Sequence, residues 1–274
     1  MPVHMARFGR TGREMTILTD GVEVFCSLSG NGNRKLLLLH GWGCDGSLMQ
    51  PVADALQDQF QILIPDFPGH GKSGRPPEPW GVPEYAACLK HILQKTGFSP
   101  CAVIAHSFGC RVAAWLAAED SSLFERMIFT GAAGIRPRIS AEAQKRSVRY
   151  HKMKKVCEKI RKVPFLENAA AEMENKLRQK YGSRDYNALD EEMRKTFVRI
   201  INQDLMDLYE KIQCSTILIW GDADTETPLW MAKEMEKRIP DAGLAVLEGG
   251  SHFAYLEQIQ RFCIIARQFL KEDE

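Results

Sequence analysis

The sequence predicts an α/β fold in which a mostly parallel central sheet is flanked by helices and interrupted by an inserted helical segment. In the first half of the chain and again near its end, short apolar runs alternate with helix-forming runs. Such alternation is typical of parallel strands joined by crossover helices. Between residues 136 and 209 the alternation stops and helix formers dominate. We therefore expect a first core segment at 1–135, a helical insertion at 136–209 and a second core segment at 210–274.

Apolar patterning and turn residues place the individual elements. The Asp-Gly pair at 20–21 predicts a tight turn between the first two strands. Predicted strands occupy 15–18, 22–28, 35–39, 61–65, a run beginning at 101, 126–130, 216–220 and 243–247. Predicted core helices occupy 47–56, 84–96, a segment beginning at or just after 107, 229–238 and a last segment ending at 270. Within the insertion, one helix is predicted with Ser140 as its N-cap and its end at Pro164, and further helices are predicted around 169–181 and 190–208.

Composition excludes several classes of function. Of 274 residues, 45% are hydrophobic and 26% are charged, and the formal net charge of +1 gives no global field that favours nucleic acid. No apolar run approaches the roughly 18 to 20 residues of a membrane span, so we expect no stable membrane insertion.

Residues 1–14 have no apolar core typical of a signal peptide, and Met5 is an alternative start to Met1.

The cysteine pattern predicts a reducing compartment. No Cys-x-x-Cys pair occurs, and most of the cysteines lie inside apolar runs. This pattern is typical of buried free thiols rather than of a disulfide framework or a zinc site. We therefore expect a cytoplasmic protein. The eight cysteines are at 26, 44, 88, 101, 110, 157, 214 and 263.

Residues 101–114 contain the pattern of a nucleophilic serine. A buried-strand run leads into Ala105-His106-Ser107-Phe108-Gly109, and an Ala-rich helical run follows. This is a close variant of Gly-x-Ser-x-Gly, in which a sharp strand-to-helix turn exposes a serine hydroxyl above the sheet. The turn needs small neighbours, and Ala105 and Gly109 are small. The helix N-terminus behind Ser107 would favour negative charge that develops there.

A serine nucleophile needs a base to accept its proton and an acid to orient that base. In a parallel sheet both must lie on loops at the same carboxyl edge as Ser107. His252 follows the last predicted strand, and Asp222 and Asp224 both follow the strand before it. The order along the chain is serine, aspartate, histidine. The residues alone leave the choice between the two aspartates open.

These motifs together resemble the α/β-hydrolase superfamily over roughly residues 15–270. Gly-Asp-Ala-Asp at 221–224, followed by Pro228, is similar to the acid loop of that family. The resemblance therefore implies a catalytic triad of Ser107, Asp224 and His252, and it favours Asp224 over Asp222. It also implies that the helical insertion is a lid.

Two further loops carry the same resemblance. His-Gly-Trp-Gly at 40–43 looks like the oxyanion turn of the family, and residues 66–74 look like its Asp-x-x-Gly-x-Gly-x-Ser loop, a marker of the fold. The likeness implies an oxyanion hole made by the backbone N–H groups of Trp42 and Phe108. No metal or organic cofactor is implied.

The chain departs from the family pattern at several positions. Ala105 replaces the first glycine of the serine motif, and Cys110 stands where a second glycine is common. Meta-cleavage-product hydrolases tend to carry Asn before the serine and Trp after the histidine, where this chain has His106 and Phe253. Haloalkane dehalogenases and epoxide hydrolases use an aspartate nucleophile, so Ser107 argues against both.

The resemblance implies hydrolysis of a small-molecule carboxylic ester with a small to medium acyl group through an acyl-enzyme. One alternative is a C–C bond, lactone or thioester hydrolase of the same fold. Another is a receptor-like member that binds a ligand and has weak catalysis. The sequence leaves the oligomeric state open.

The start of the helical insertion is strongly basic. One interpretation is a solvated helix face that the second half of the insertion balances. Another is attraction of an anionic substrate or transient contact with an anionic membrane surface. Against Glu142 and Glu158 stand Arg136, Arg138, Lys145, Arg146, Arg149, Lys152, Lys154, Lys155, Lys159, Arg161 and Lys162.

Overall fold

A computed structural model describes residues 5–8, 12–136, 141–181 and 184–271. Within these ranges nine strands form one sheet in the order β1-β2-β3-β5-β4-β6-β7-β8-β9. From β4 to β9 every pairing is parallel, and β1, β2 and β3 extend the sheet in antiparallel fashion beyond β5. The strands are β1 Met5–Phe8, β2 Gly12–Thr19, β3 Val22–Ser29, β4 Arg34–Leu39, β5 Phe60–Pro65, β6 Cys101–His106, β7 Phe124–Thr130, β8 Ser215–Gly221 and β9 Ala242–Leu247.

The helices fall close to the predicted segments. The predicted helix at 47–56 is divided into a 3₁₀ turn, Gly46–Met49, and a helix that carries Pro51 in its first turn, where proline costs no hydrogen bond. The described helices are α1 Gln50–Leu56, α2 Val82–Thr96, α3 Phe108–Glu119, α4 Ala141–Arg161, α5 Glu167–Tyr181, α6 Arg184–Ala188, α7 Glu191–Asn202, α8 Met206–Tyr209, α9 Leu229–Arg238, α10 Ala254–Glu257 and α11 Ile259–Phe269. Among them, none combines the length and apolar character required to cross a membrane.

The predicted mostly parallel α/β architecture is confirmed, with apolar residues buried on both faces of the sheet. Leu37 and Leu39 of β4 pack in one cluster with α2 and α3, whereas Leu36 and Leu38 pack in a second cluster with α1 and α11. A strand covered on both sides must be apolar at every position, which explains the continuous Leu run. The carboxyl ends of β4 to β9 therefore meet at one edge of the sheet.

The hairpin that opens the sheet follows its sequence signal. Asp20 and Gly21 both have positive φ, 51° and 76°, which is the conformation that matches a two-residue turn to the twist of its strands. The pairing of Thr19 with Val22 directly across the turn fixes the register of β2 and β3. The sequence analysis did not predict β1, whose four residues pair with β2.

The chain divides into two compact units with a boundary that differs from the predicted one. A core unit comprises residues up to 135 and from 198 onward, and a helical unit comprises 136–197. Residues 198–209, which we assigned to the insertion, belong to the core unit, because Ile200, Leu205 and Tyr209 are buried in its larger cluster. The buried Arg111 also donates hydrogen bonds to the carbonyl oxygens of Ile200 and Gln203 at 3.1 and 2.8 Å.

The helical unit contains helices only within its described residues, as the lack of strand patterning predicts. Its first two helices, α4 and α5, form a hairpin. The Arg146 guanidinium near the start of α4 donates to the carbonyl of Lys180 near the end of α5, at 2.8 Å, and Arg161 at the end of α4 pairs with Glu174. The predicted cap Ser140 and the basic residue Arg138 lie outside the described residues.

Candidate active site

Ser107 occupies a sharp turn between β6 and α3. Its φ of 50° and ψ of −108° lie in a sparsely populated region for a non-glycine residue, a strain of about 1–3 kcal/mol that surrounding contacts must hold. Its N–H donates to the carbonyl of Thr130 at 3.1 Å, and its carbonyl accepts from the N–H groups of Cys110 and Ala133, both at 3.2 Å. These bonds fix the serine backbone between the ends of β6 and β7.

Close packing around position 109, two residues after Ser107, requires a glycine there. A Cβ on Gly109 would lie 2.8 Å from the carbonyl oxygen of His40 and 2.8 Å from Leu39 Cβ, closer than real Cβ contacts allow. The departure at Cys110 is tolerated because its thiol is buried and donates to the carbonyl of Ala105 at 3.0 Å. Burial raises the pKa of Cys110 well above the ordinary thiol value, so this cysteine has no nucleophilic character.

The two candidate aspartates, Asp222 and Asp224, both lie in the loop after β8, and their contacts distinguish them. Asp222 accepts a hydrogen bond from the N–H of Gly249 at 2.6 Å and thereby holds the turn that follows β9. Asp224 has a fully buried carboxylate whose Oδ2 lies 2.8 Å from Nδ1 of His252. The Asp224–His252 contact is the one that the family resemblance implies, and Asp222 makes a turn contact instead.

Four hydrogen bonds hold the Asp224 carboxylate. Its Oδ1 accepts from the N–H groups of Glu226 and Thr227 at 2.8 and 2.9 Å, and its Oδ2 accepts from the Thr227 hydroxyl at 2.8 Å as well as from His252. Burial acts to raise the pKa of Asp224, but the hydrogen bonds from His252 and Thr227 outweigh burial and keep this pKa below its usual value. Asp224 is therefore charged near neutral pH.

His252 lies in the loop after β9 with its side chain 15% exposed. Its Nδ1 faces Asp224 and also lies 3.3 Å from the Thr227 hydroxyl. Because the carboxylate is an acceptor, it favours the tautomer that carries the proton on Nδ1 and leaves Nε2 able to accept one. The ring packs against Gly131 at the end of β7, where a Cβ would lie 3.0 Å from Nδ1 of His252.

A second histidine supports the backbone of His252. His106, the residue before Ser107, is buried, and its Nε2 donates to the carbonyl of His252 at 3.0 Å. The two rings lie 4.8 Å apart between centroids. Burial first, and then the neighbouring His252, lower the pKa of His106 to about 3, so its ring is neutral. Within the described residues, Nδ1 of His106 has no hydrogen-bond partner.

Ser107 and His252 are brought close together, but no hydrogen bond joins their side chains in the described part of the chain. The N–H of Ser107 binds the carbonyl of Thr130, and the next residue, Gly131, contacts the His252 ring. Within the described part of the chain, the Ser107 hydroxyl makes no hydrogen bond to His252 or to any other group. Catalytic hydrogen bonds are often long in unliganded enzymes and tighten with substrate.

The loop after β4 approaches the serine from the other side. A Cβ on Gly41 would lie 2.9 Å from Nδ1 of the buried His106 and 3.3 Å from Cβ of Ser107, so glycine lets this backbone come close to both residues. The Trp42 ring packs edge-on against Phe108, with centroids 5.4 Å apart. Phe108 is the first residue of α3, where N–H groups have no acceptor inside the helix. The two predicted oxyanion donors thus lie on either side of Ser107, with Trp42 in the loop after β4 and Phe108 at the start of α3.

Two buried histidines stabilise this second loop. Nε2 of His40 accepts from the N–H of Phe67 at 2.9 Å, so the proton is on Nδ1, which donates to the carbonyl of Gly41 at 2.8 Å. His70 lies against Trp42, with centroids 4.7 Å apart. Burial lowers the pKa of both His40 and His70 to about 4. Both rings are therefore neutral and act as fixed connectors between loops.

The loop after β5 is organised by one carboxylate. Asp66 is buried and accepts hydrogen bonds from the N–H groups of Gly46 and Lys72 at 2.7 and 2.8 Å. The Ser73 hydroxyl donates to the carbonyl of Asp66 at 2.6 Å. These contacts make the loop at 66–74 a structural unit, as expected of a fold marker.

Sequence reasoning missed three residues of this site. Thr227 binds both Asp224 and His252, Gly131 makes room for the His252 ring, and His106 supports its backbone. The available signal was their position, since Gly131 directly follows a predicted strand and Thr227 lies within the predicted acid loop. The sequence analysis singled out His106 only as a departure from one enzyme class.

Comparisons with known proteins identify the fold family of the chain. Residues 35–258 match the family model described as the alpha/beta hydrolase fold. A pimeloyl-[acyl-carrier protein] methyl ester esterase of Vibrio cholerae is 22% identical over 264 residues, which cover 88% of this chain and 96% of that protein. The crystal structure of an enol-lactonase from Burkholderia xenovorans is similar with a TM-score of 0.72 and 20% identity, over 94% of this chain and 100% of that one.

A third comparison gives the same fold. An esterase from Exiguobacterium antarcticum is similar with a TM-score of 0.70 and 19% identity, over 92% of this chain and 97% of that one. The identities to the two solved structures are low, so they show the shared fold alone. The family model spans most of the chain, and the protein therefore belongs to the alpha/beta hydrolase fold family.

Proposed function

We propose that this protein is a serine hydrolase that cleaves carboxylic esters through an acyl-enzyme. The observation that carries the proposal is the buried Asp224 carboxylate 2.8 Å from Nδ1 of His252, next to a serine in a strained strand-to-helix turn. A buried aspartate that orients a histidine beside an accessible serine is the arrangement that nucleophilic acyl transfer needs. The proposed catalytic residues are Ser107, His252 and Asp224.

In the first half of the reaction the Ser107 hydroxyl oxygen attacks the ester carbonyl carbon. His252 accepts the hydroxyl proton at Nε2 and then donates it to the departing alcohol. Asp224 keeps the other proton of the ring on Nδ1 and stabilises the imidazolium that forms between these two steps. Four hydrogen bonds hold Asp224 in place, so the histidine needs little reorganisation during the reaction.

The negative charge on the tetrahedral oxygen needs fixed donors. We assign that role to the N–H groups of Trp42 and Phe108, each worth about 3–4 kcal/mol in comparable sites. The N-terminus of α3 adds a favourable dipole at the same position. In the second half of the reaction His252 removes a proton from water and the water oxygen attacks the acyl carbon. The bond from that carbon to Ser107 Oγ then breaks, and His252 returns the proton to Oγ, which releases the carboxylic acid and restores the serine hydroxyl.

The substrate class is inferred from relatives as well as from chemistry. The similar proteins include two named esterases and an enol-lactonase, and a lactone is itself a cyclic ester. Small-molecule esters with a small to medium acyl group are therefore our proposed substrates. We further propose a reducing, cytoplasmic location, which the cysteine pattern supports, because most of the cysteines lie in apolar runs and none form a Cys-x-x-Cys pair.

Hydrolysis of a p-nitrophenyl ester series from acetate to palmitate tests the proposal. We expect turnover of the shorter esters by the wild-type protein and a loss of at least about 10³-fold in kcat for Ser107→Ala, as in other serine hydrolases. Ser121→Ala serves as the matched control, because Ser121 is exposed on a distant 3₁₀ turn. A fluorophosphonate probe should label the peptide that contains residue 107 in the wild-type protein and in this control.

Two results would change the interpretation. If the fluorophosphonate labels Ser107 but no p-nitrophenyl ester is turned over, the nucleophile works and the bond cleaved is a lactone, a thioester or a C–C bond. If Ser107→Ala retains the wild-type rate, or if the probe does not react with Ser107, the serine hydrolase proposal is wrong and a ligand-binding role takes its place.

A further inference from the structure

The hairpin of α4 and α5 ends in an apolar tip whose side chains are exposed in the described part of the chain. We define the hairpin tip as residues 162–166. The Phe165 side chain is 101% exposed, and Val163 and Leu166 are 47% and 42% exposed. Three neighbouring apolar side chains exposed together on a soluble surface are typical of an interaction site.

The backbone of the tip holds these side chains outward. Phe165 has a φ of 70°, a left-handed conformation that a bulky side chain rarely adopts. The turn is closed on both sides, since the N–H of Val163 donates to the carbonyl of Ile160 at 3.0 Å and that of Leu166 donates to the carbonyl of Val163 at 3.1 Å. The exposure of Phe165 is thus built into a hydrogen-bonded turn.

The helix that leads to the tip is strongly basic and is not balanced by its partner. From 141 to 161, α4 carries eight Lys and Arg against two Glu, which leaves a net charge of +6. From 167 to 181, α5 carries three of each sign and is neutral. The interpretation in which the second half of the insertion balances the basic half is therefore unsupported at the hairpin.

The charges nearest the tip are also available for an external partner. Lys152, Lys155, Lys159 and Lys162 are exposed and form no ion pair with any described residue. In contrast, Arg161 is paired with Glu174. An open groove of about 550 Å³ lies along the end of α4, and it is lined by Lys155, Glu158, Lys159, Arg161 and Lys162.

We propose that the hairpin tip docks on an anionic lipid surface. Phe165, Val163 and Leu166 would enter the interface between headgroups and acyl chains, and Lys155, Lys159 and Lys162 would contact lipid phosphates. An apolar tip next to exposed lysines that pair with no described carboxylate fits a surface that is apolar inside and negative outside. The docking is peripheral, and it does not depend on the proposed esterase activity.

Vesicle co-sedimentation of the full-length chain tests the proposal. We expect binding to vesicles of phosphatidylcholine with about one third phosphatidylglycerol at about 50 mM NaCl, little binding to pure phosphatidylcholine, and loss of binding at about 500 mM NaCl. A variant with Lys152, Lys155, Lys159 and Lys162 all changed to Gln should bind at least about tenfold more weakly.

Matched variants distinguish the effect of the lysines near the tip from the effect of a lower net charge of the whole protein. Changing Lys211, Lys233, Lys237 and Lys271 to Gln removes the same four charges from exposed positions of the core unit, and this control should bind within about twofold of the wild type. Phe165→Ser should weaken binding about tenfold, whereas Ile264→Ser, at a residue that is 68% exposed on α11, should not. Brominated lipids should quench the added fluorescence of Phe165→Trp and not that of Ile264→Trp.

Several results would overturn the proposal. These are failure to bind the anionic vesicles, equal binding to neutral vesicles, and equal losses in the two quadruple variants. Binding to soluble polyglutamate that depends on the same four lysines, without binding to vesicles, would also overturn the proposal. In that case the lysines would serve to bind an acidic protein. Ester hydrolysis by the variants should remain at the wild-type rate on soluble substrates, so failure of the docking proposal is distinguishable from failure of the proposed function.

Discussion

The loops after β4 and β9 each place a histidine at the same edge of the sheet, but the two side chains are held in different ways. His40 is fully buried and uses both ring nitrogens for backbone hydrogen bonds, to Gly41 and from Phe67. His252 is partly exposed and uses Nδ1 for the Asp224 carboxylate. An imidazole with both nitrogens occupied connects loops, whereas one with a carboxylate on one side can move a proton on the other.

The same difference appears in the electrostatics. Burial without a carboxylate partner lowers the pKa of His40 to about 4, so this ring is neutral across the physiological range. Asp224 is charged, because the hydrogen bonds from His252 and Thr227 outweigh the effect of burial on its pKa. A histidine at the end of a strand is thus a weak sign of catalysis, and its partner decides its role.

A very large loss of activity should follow removal of the charge beside His252. Asp224→Asn keeps the shape of the side chain but offers an N–H₂ group to Nδ1, so we expect kcat to fall by about 10³- to 10⁴-fold on a p-nitrophenyl ester. Asp222→Asn is the control and should stay within about threefold, because its oxygen can still accept from Gly249. Equal losses in the two variants would show that our choice of the acid is wrong.

Replacing each histidine should separate stability from activity. His40→Phe leaves the carbonyl of Gly41 and the N–H of Phe67 without their partner in a buried place, so we expect the free energy of unfolding to fall by about 2–4 kcal/mol. His252→Gln should abolish ester hydrolysis with a smaller loss of stability, because Thr227 and Glu226 still hold Asp224. Urea unfolding, with activity measured on the same samples, checks both predictions. A larger loss of stability in His252→Gln than in His40→Phe would contradict the comparison.

The smallest effect is a pH dependence of stability from the neutral buried histidines. Their pKa values are about 4 for His40 and His70 and about 3 for His106, below the value of about 6.5 in an unfolded chain. Between these values the unfolded state binds more protons, so the stability they contribute is fully present above about pH 6.5 and falls as the pH drops toward 4.

A single substitution measures one of these contributions. Between pH 7 and pH 5 the wild-type protein should lose about 1–2 kcal/mol more stability than His70→Phe, in which one titrating group is absent. The control is His151→Gln, at an exposed position on α4, which should keep the wild-type pH dependence. Parallel curves for wild type and His70→Phe would mean that His70 is not held neutral in the fold.

Much of this fold was predictable because its signals are local. The Leu run of β4 identifies a strand covered on both faces, the Asp20-Gly21 turn identifies the hairpin, and the small residues around Ser107 identify the strained turn. The short strand β1 escaped prediction, because four residues paired only at a sheet edge carry little pattern of their own. The end of the insertion was also misplaced, since the burial of Ile200 and Tyr209 depends on the core against which they pack.

By itself, the sequence determined the α/β class, the order of its elements and the loops that carry Ser107, Asp222, Asp224 and His252. Periodicity and turn chemistry act between near neighbours in the chain, so they can be read without a structure. Only the tertiary structure decided which aspartate meets His252, that Thr227 joins the pair, and that His40 and His106 are supports. These outcomes depend on ångström distances between loops far apart in the sequence, which the packing of the whole sheet determines.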